Sequence, residues 1–214
     1  MRTFNLALKR IVDIFGSLVG LVILLPLMII IAILIKLTSE GPVIFKQERL
    51  GKNGRVFKIY KFRTMVVNAE NIGDGLTVKS ESDSRITKVG RILRKTSLDE
   101  LPQLFNVLVG HMSLVGPRPP VTYHPYDGYN SYPNWAKKRF KMKPGVTGLA
   151  QITVRNSATW DERIKVDNEY IDKFNIWLDI KILFMTIKSV FKSQNIYSNE
   201  SNREEKNVTN YSKY

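Results

Sequence analysis

Between residues 14 and 35 the chain runs for 22 positions without a charge, and only Gly16, Ser17, Gly20 and Pro26 interrupt a row of aliphatic and aromatic side chains. As a straight helix this stretch would measure about 33 Å, against a hydrocarbon core of about 30 Å. Pro26, near its centre, removes a helical hydrogen bond and bends the axis. A cleaved secretory leader is disfavoured, because the apolar run is too long and residues 36–42 lack a small-x-small cleavage pattern. Beyond residue 41 the pattern shortens. Apolar runs at 43–45 and 56–60, separated by Gly51-Lys52-Asn53-Gly54, predict two strands around a turn. Residues 68–83, rich in Gly, Asn, Ser and Asp, predict a mobile loop. Residues 89–93 and 98–108 read as helical, the four prolines within 115–125 predict irregular chain, and 143–148 reads as a turn. Helices are predicted over 161–174 and 176–192. The second sets Asp179, Lys181, Lys188 and Lys192 among large apolar side chains, and suits packing on a core and lying along a membrane interface equally. Residues 193–214 are polar and charged, which predicts a disordered tail. The pattern thus divides the chain into an apolar segment with its flank (1–40), a mixed domain (41–192) and the tail (193–214).

Charge decides how the apolar segment should sit. Arg2, Lys9 and Arg10 stand before it against Asp13, and 30 basic residues against 18 acidic ones follow it. Both flanks are positive, so a spanning helix would leave one on the side that the positive-inside rule disfavours. A re-entrant hairpin broken at Pro26 returns both flanks to one face, and a kinked spanning helix is the alternative. The formal charge of +14 also calls for a polyanionic partner: nucleic acid, an anionic membrane surface or a phosphorylated substrate. No aromatic and basic RNA-binding signature is visible, so no nucleic acid is expected. The chain has no Cys, which excludes disulfides, zinc-thiolate sites, iron-sulfur clusters and a catalytic thiol.

There is no Gly-rich dinucleotide fingerprint, no P-loop, and no helical partner for His111 or His124 of the metalloprotease kind. What remains is acidic and basic chemistry. The densest cluster is Arg91-Ile92-Leu93-Arg94-Lys95-Thr96-Ser97-Leu98-Asp99-Glu100-Leu101-Pro102-Gln103. Ser97 followed three residues later by Glu100 fits a capping box, a purely structural reading. The same residues suit Mg²⁺ and phosphate together, since Mg²⁺ takes one or two carboxylates plus substrate oxygens and arginine grips phosphate in bidentate fashion. An aspartate can also attack phosphorus to give an acyl-phosphate. In Gly116-Pro117-Arg118-Pro119-Pro120 the prolines restrict the backbone on both sides of an arginine, which fits an aimed guanidinium as well as a surface turn. Lys61-Phe62-Arg63-Thr64-Met65, at the end of the second strand, alone reads as a solvated face.

Six motifs in order carry a resemblance: the apolar segment with its central proline, Phe45-Lys46-Gln47-Glu48-Arg49 with Gly51, Lys61-Phe62-Arg63-Thr64-Met65, Arg94 to Gln103, Met112-Ser113-Leu114-Val115-Gly116-Pro117-Arg118-Pro119, and Pro144-Gly145-Val146-Thr147-Gly148-Leu149-Ala150-Gln151. From about residue 11 to 192 the chain resembles the bacterial sugar transferases, the monotopic phosphoglycosyl transferases. The resemblance implies an α+β protein in which a re-entrant membrane helix hairpin precedes a small mixed α/β cytosolic catalytic domain with interfacial amphipathic helices. It implies transfer of a sugar-1-phosphate from a UDP-sugar to undecaprenyl phosphate, with release of UMP, at the cytoplasmic face of a bacterial inner membrane, as the first step of a capsule, exopolysaccharide, O-antigen or glycoprotein glycan. Asp99 and Glu100 match the catalytic dyad, with Asp99 as nucleophile and as ligand of Mg²⁺. Arg94, Arg118, Lys61 and Asp167 fall at substrate-binding positions, and Pro26 at the membrane break.

The sequence departs from the family pattern in places. Leu25-Pro26 stands where Ser-Pro is common, and His111 where an acid is common, which leaves its role open. The chain lacks the additional spanning helices of longer members and so resembles the minimal catalytic form. Arg155-Asn156-Ser157 with Trp160 resembles members that handle acetylated amino sugars. Oligomeric state stays open, a dimer among the options. Direct transfer without a covalent intermediate, and a basic membrane-attached scaffold without catalysis, are the rival readings.

Overall fold

The computed structural model describes residues 2–72, 83–154 and 158–191. The tail, Arg155-Asn156-Ser157 and most of the predicted loop lie outside them. The apolar segment forms one helix, α1 (Arg2–Thr38), with Pro26 inside it. Two helices joined by a turn at Pro26 are not formed as separate elements. A proline in a helix interior costs one hydrogen bond and bends the rod without obliging the chain to reverse.

α1 lies along the rest of the molecule by a single stripe. Lys9, Asp13, Ser17, Ile31 and Ile35 are buried, at the spacing that places residues on one helical face. The small residues that interrupted the apolar run belong to this stripe. A Cβ on Gly16 would come 2.8 Å from Leu114 Cδ1, and one on Gly20 would come 3.1 Å from Leu104 Cδ1. Their absent side chains let the helix approach the domain. The opposite face exposes Phe15, Val19, Val22, Ile23, Ile30 and Ile33.

Both ends of α1 are fixed. Near its start, Lys9 Nζ donates to Val115 O at 2.8 Å and pairs with Asp179 at 2.5 Å, while Asp13 Oδ1 accepts from Ser113 Oγ and from Leu114 N, each at 2.9 Å. Asp179 also accepts from Tyr170 Oη at 2.7 Å. Near its end, Ile31 and Ile35 pack with Phe62 and Leu93. The buried Arg63 guanidinium donates to Ser39 O at 2.9 Å, to Ser39 Oγ at 2.8 Å and to Glu40 O, satisfying carbonyls that the helix end leaves free.

The predicted hairpin is present. β1 (Ile44–Leu50) and β2 (Val56–Phe62) pair antiparallel, Ile44 opposite Phe62 and Leu50 opposite Val56. Asn53 (φ 56°) and Gly54 (φ 76°) take left-handed conformations in the turn, as an Asn-Gly pair readily does. α2 (Lys88–Thr96) starts at Thr87, whose Oγ1 accepts from Gly90 N at 2.9 Å. A Cβ on Gly90 would lie 2.0 Å from Thr64 O, so only glycine lets α2 reach the end of β2. α3 (Gln103–Leu108) packs on β2 through Asn106, which is fully buried: its Oδ1 accepts from Tyr60 N at 2.9 Å and its Nδ2 donates to Lys58 O at 2.8 Å.

Residues 143–148, read from sequence as a turn, contain a strand. β4 (Gly145–Thr147) runs parallel to β3 (Ser113–Val115), Ser113 opposite Gly145 and Val115 opposite Thr147. A Cβ on Gly145 would fall 2.1 Å from Gly116 N, so the glycines that suggested a turn instead permit close backbone approach. α4 (Asn134–Lys137) and α5 (Leu149–Thr153) are short. α6 (Trp160–Lys173) opens with a capping box, Thr159 Oγ1 accepting from Glu162 N and Glu162 accepting from Thr159 N. α7 (Ile176–Phe191) packs on the core by one face and leaves the other exposed and apolar. Ile182 joins the core with Val115, Met142 and Tyr170, while Trp177, Ile180, Phe184 and Ile187 face outward.

Candidate active site

The cluster at 91–103 folds as a helix end, a single turn and a helix start. α2 stops at Ser97, which adopts φ 57°, and the turn Leu98–Glu100 follows before α3 begins. The capping box expected from Ser97 and Glu100 is not formed: the Ser97 side chain makes no cap bond, and the Glu100 carboxylate turns to β2. Lys61 Nζ lies 2.6 Å from Glu100 Oε1, and Arg118 Nη2 lies 3.8 Å from the same oxygen. Strand β2, the turn at Asp99 and the proline-bounded loop therefore meet at one carboxylate.

The two adjacent acids differ in environment. Burial raises the proton affinity of Glu100, but Lys61 and Arg118 outweigh it and hold the group down at about 2. Burial pushes Asp99 up to about 6; Lys61, Arg94 and Arg118 pull it down while the Glu100 charge raises it further. Among the described residues, no hydrogen bond or ion pair engages the half-buried Asp99 carboxylate. Glu100 is thus a fixed anion neutralised by cations, and Asp99 an available carboxylate in their field.

Of the sequence candidates, the structure gathers Asp99, Glu100, Lys61 and Arg118, with half-buried Arg94 acting on Asp99 through its charge. It does not bring Asp167 to them. Asp167 lies on α6 with 2% of its surface exposed, paired with Arg139 at 2.7 Å. Pro26 is exposed on α1. His111 is also exposed, on the turn after α3, with its ring 5.9 Å from that of Phe57. Sequence reasoning missed Arg49, Gln103 and Gln151. With Lys61, Glu100 and Arg118 they line a narrow cleft. Gln151 Nε2 donates to Val146 O at 3.0 Å, while its buried Oε1 has no partner. All three stand inside the sequence motifs, yet nothing in their spacing separates them from residues that shape the local chain.

Two adjacent acids among cations, one of them, Glu100, lining a cleft, together with a helix that exposes an apolar face, agree with a profile comparison. The profile described as "Bacterial sugar transferase" matches residues 4–193. The chain belongs to the bacterial sugar transferase family. Among relatives in the family, the galactosyl transferase CpsE of Streptococcus agalactiae is 47% identical over 196 residues, covering 87% of this chain and 42% of that protein. A UDP-glucose:undecaprenyl-phosphate glucose-1-phosphate transferase of Klebsiella pneumoniae is 44% identical over 198 residues, covering 90% and 42%. The exopolysaccharide production protein PSS of Rhizobium leguminosarum bv. phaseoli is 44% identical over 192 residues, covering 86% and 96%. The chain therefore spans less than half the length of the first two relatives and nearly all of the third.

Proposed function

We propose that this sugar transferase moves a sugar-1-phosphate from a UDP-sugar to undecaprenyl phosphate at the cytoplasmic face of a bacterial inner membrane, for synthesis of a surface polysaccharide. The observation that carries the reading is the Asp99 carboxylate, free of described partners, beside a Glu100 neutralised by Lys61 and Arg118. The names of relatives support the donor and acceptor classes.

An Asp99 oxygen attacks the phosphorus that bears the sugar. The bond from that phosphorus to the bridging oxygen breaks, UMP leaves with that oxygen, and a phosphosugar remains on Asp99. A phosphate oxygen of undecaprenyl phosphate then attacks the same phosphorus, the Asp99 carboxylate leaves, and the sugar is joined to the lipid through a diphosphate. Arg94, Arg118 and Lys61 present fixed positive charge to the transferring phosphate, stabilising it without reorganisation. Glu100 keeps Lys61 and Arg118 in place. Mg²⁺ fits the available donors, since it takes one or two carboxylates and otherwise binds substrate phosphates; Asp99 would hold it, and it would neutralise charge on the donor diphosphate.

The membrane arrangement follows from α1. Its exposed face is apolar, both its ends are fastened to the one domain by Lys9 and Arg63, and both flanks are positive. This supports a re-entrant topology in which α1 enters one leaflet and both flanks stay on the cytoplasmic side. Outward-facing Trp177 and Phe184 on α7 suit the same interface. A polar donor and a lipid acceptor would then meet at the cleft.

The test is UMP release by the full chain in detergent or nanodiscs, across a panel of UDP-sugars. Release that needs undecaprenyl phosphate for multiple turnovers, needs Mg²⁺ and disappears in Asp99→Asn is expected. Unaltered activity in Asp99→Asn would overturn the reading.

A further inference from the structure

Every carbonyl of the loop at residues 117–120 is held by a donor outside the loop. Gly145 N donates to Pro117 O at 3.0 Å, Arg139 Nη2 to Arg118 O at 2.6 Å, Arg49 Nη1 to Pro119 O at 3.1 Å, and Leu50 N to Pro120 O at 3.0 Å. Three of the four residues are prolines with no N–H, so the carbonyls are the handles by which the loop can be fixed. Two of the four donors are arginine side chains. Arg139 is only 1% exposed, and such a guanidinium is stable only with a counter-charge. Asp167 supplies it at 2.7 Å, with the charge of Arg163 also acting on the same carboxylate. Neither Arg139 nor Asp167 lines the cleft, whereas Arg118 does, with a side chain that is 41% exposed.

We infer that Arg139 and Asp167 are positioning residues: Asp167 neutralises Arg139, Arg139 holds the Arg118 carbonyl, and the Arg118 guanidinium thereby keeps its place beside Glu100. The inference rests on the proposed phosphate-holding role of Arg118, and it moves Asp167 from a substrate contact to a residue acting through two others. Arg49 holds the next carbonyl, that of Pro119, so the clamp has a second arginine.

Asp167→Asn and Arg139→Gln, each alone and combined with Arg118→Gln, are compared in two measurements on the full chain. In donor-dependent UMP release, each single clamp variant should lose about 10- to 100-fold in kcat/KM, as small misplacements of a binding group do. In the Arg118→Gln background the further loss should be under about twofold, because the clamp then has nothing left to aim. Penalties that multiply in the double variants would overturn the inference and return Asp167 to direct contact. Hydrogen exchange of residues 113–123 should quicken in Arg139→Gln while the β1–β2 hairpin stays protected; unchanged exchange in the loop would overturn the clamp. Arg139→Lys keeps the charge, guards against a variant that fails to fold, and should show intermediate exchange. Wild-type protein that releases no UMP from any UDP-sugar would sink the function reading alone, since the exchange arm still decides the clamp.

Discussion

Glu100 and Lys61 form the ion pair on which the site is built: Lys61 Nζ stands 2.6 Å from Glu100 Oε1, both side chains mostly buried, and the pair ties the turn after α2 to strand β2. Removing Lys61 leaves Glu100 with Arg118 at 3.8 Å as its nearest described cation, and the negative charge then acts on Asp99 with less opposition. Lys61→Met is expected to lower turnover by about 10²-fold and to cost on the order of 1–3 kcal/mol of stability, the range for stranding a buried charged partner. Steady-state UMP release and a denaturant midpoint check the two parts. Lys61→Arg should retain most of the stability.

The pH dependence follows from Asp99. With its carboxyl raised to about 6, activity should climb as pH passes through 6 and level off above it, because the nucleophile is the ionised form. The stability effect has the opposite sign. A raised carboxyl binds its proton more tightly in the folded state, so the stabilisation is present below the unfolded value near about 4 and lost as pH rises through 6. Asp99→Asn should therefore raise the melting temperature by a few degrees at pH 7.5 and have little effect at pH 4, while abolishing turnover. A thermal scan at both pH values reads this.

Much of this arrangement was legible in the sequence, and the exceptions have physical causes. The hairpin at 44–62 followed from alternation around Asn-Gly, and α6 and α7 from helical periodicity. β4 was hidden because Gly145 and Gly148 look the same whether they bend a chain or let two backbones touch. The Ser97–Glu100 box satisfied local spacing, but Lys61, distant in sequence, offered Glu100 a better partner. Arg139 was invisible because a basic residue in the run from Lys137 to Lys143 carries no mark of burial; only α6, bringing Asp167 beside it, makes its position stable. Lys61-Phe62-Arg63, read as a solvated strand face, instead sends its side chains to the acid, to the core and to the end of α1.

The N-terminal anchor of α1 can be broken on its own. Lys9→Met strands the Asp179 carboxylate with Tyr170 Oη as its remaining described partner, and is expected to cost about 3–5 kcal/mol, as for other buried pairs that lose one member. Lys9→Met with Asp179→Asn should recover part of that loss, since no uncompensated charge remains. Unfolding midpoints of the three variants in one detergent make the comparison.

Membrane topology is open to a clean measurement because the chain has no native Cys. Single cysteines at Phe4 and Leu37, exposed near the two ends of α1, should both react with a membrane-impermeant maleimide in inside-out vesicles and both be protected in right-side-out ones. Labelling of one end from each side would show that α1 spans the bilayer.

The central claim is a phosphosugar carried on Asp99, and intact-protein mass spectrometry reads it most directly. Wild-type chain incubated with Mg²⁺ and its UDP-sugar, without undecaprenyl phosphate, should gain the mass of one sugar phosphate, release UMP in equal amount and lose the adduct when the lipid acceptor is added. The adduct should map to the peptide containing Asp99 and be absent from Asp99→Asn. Turnover of donor and acceptor to product with no adduct under any acceptor-free condition would contradict the account and favour direct transfer.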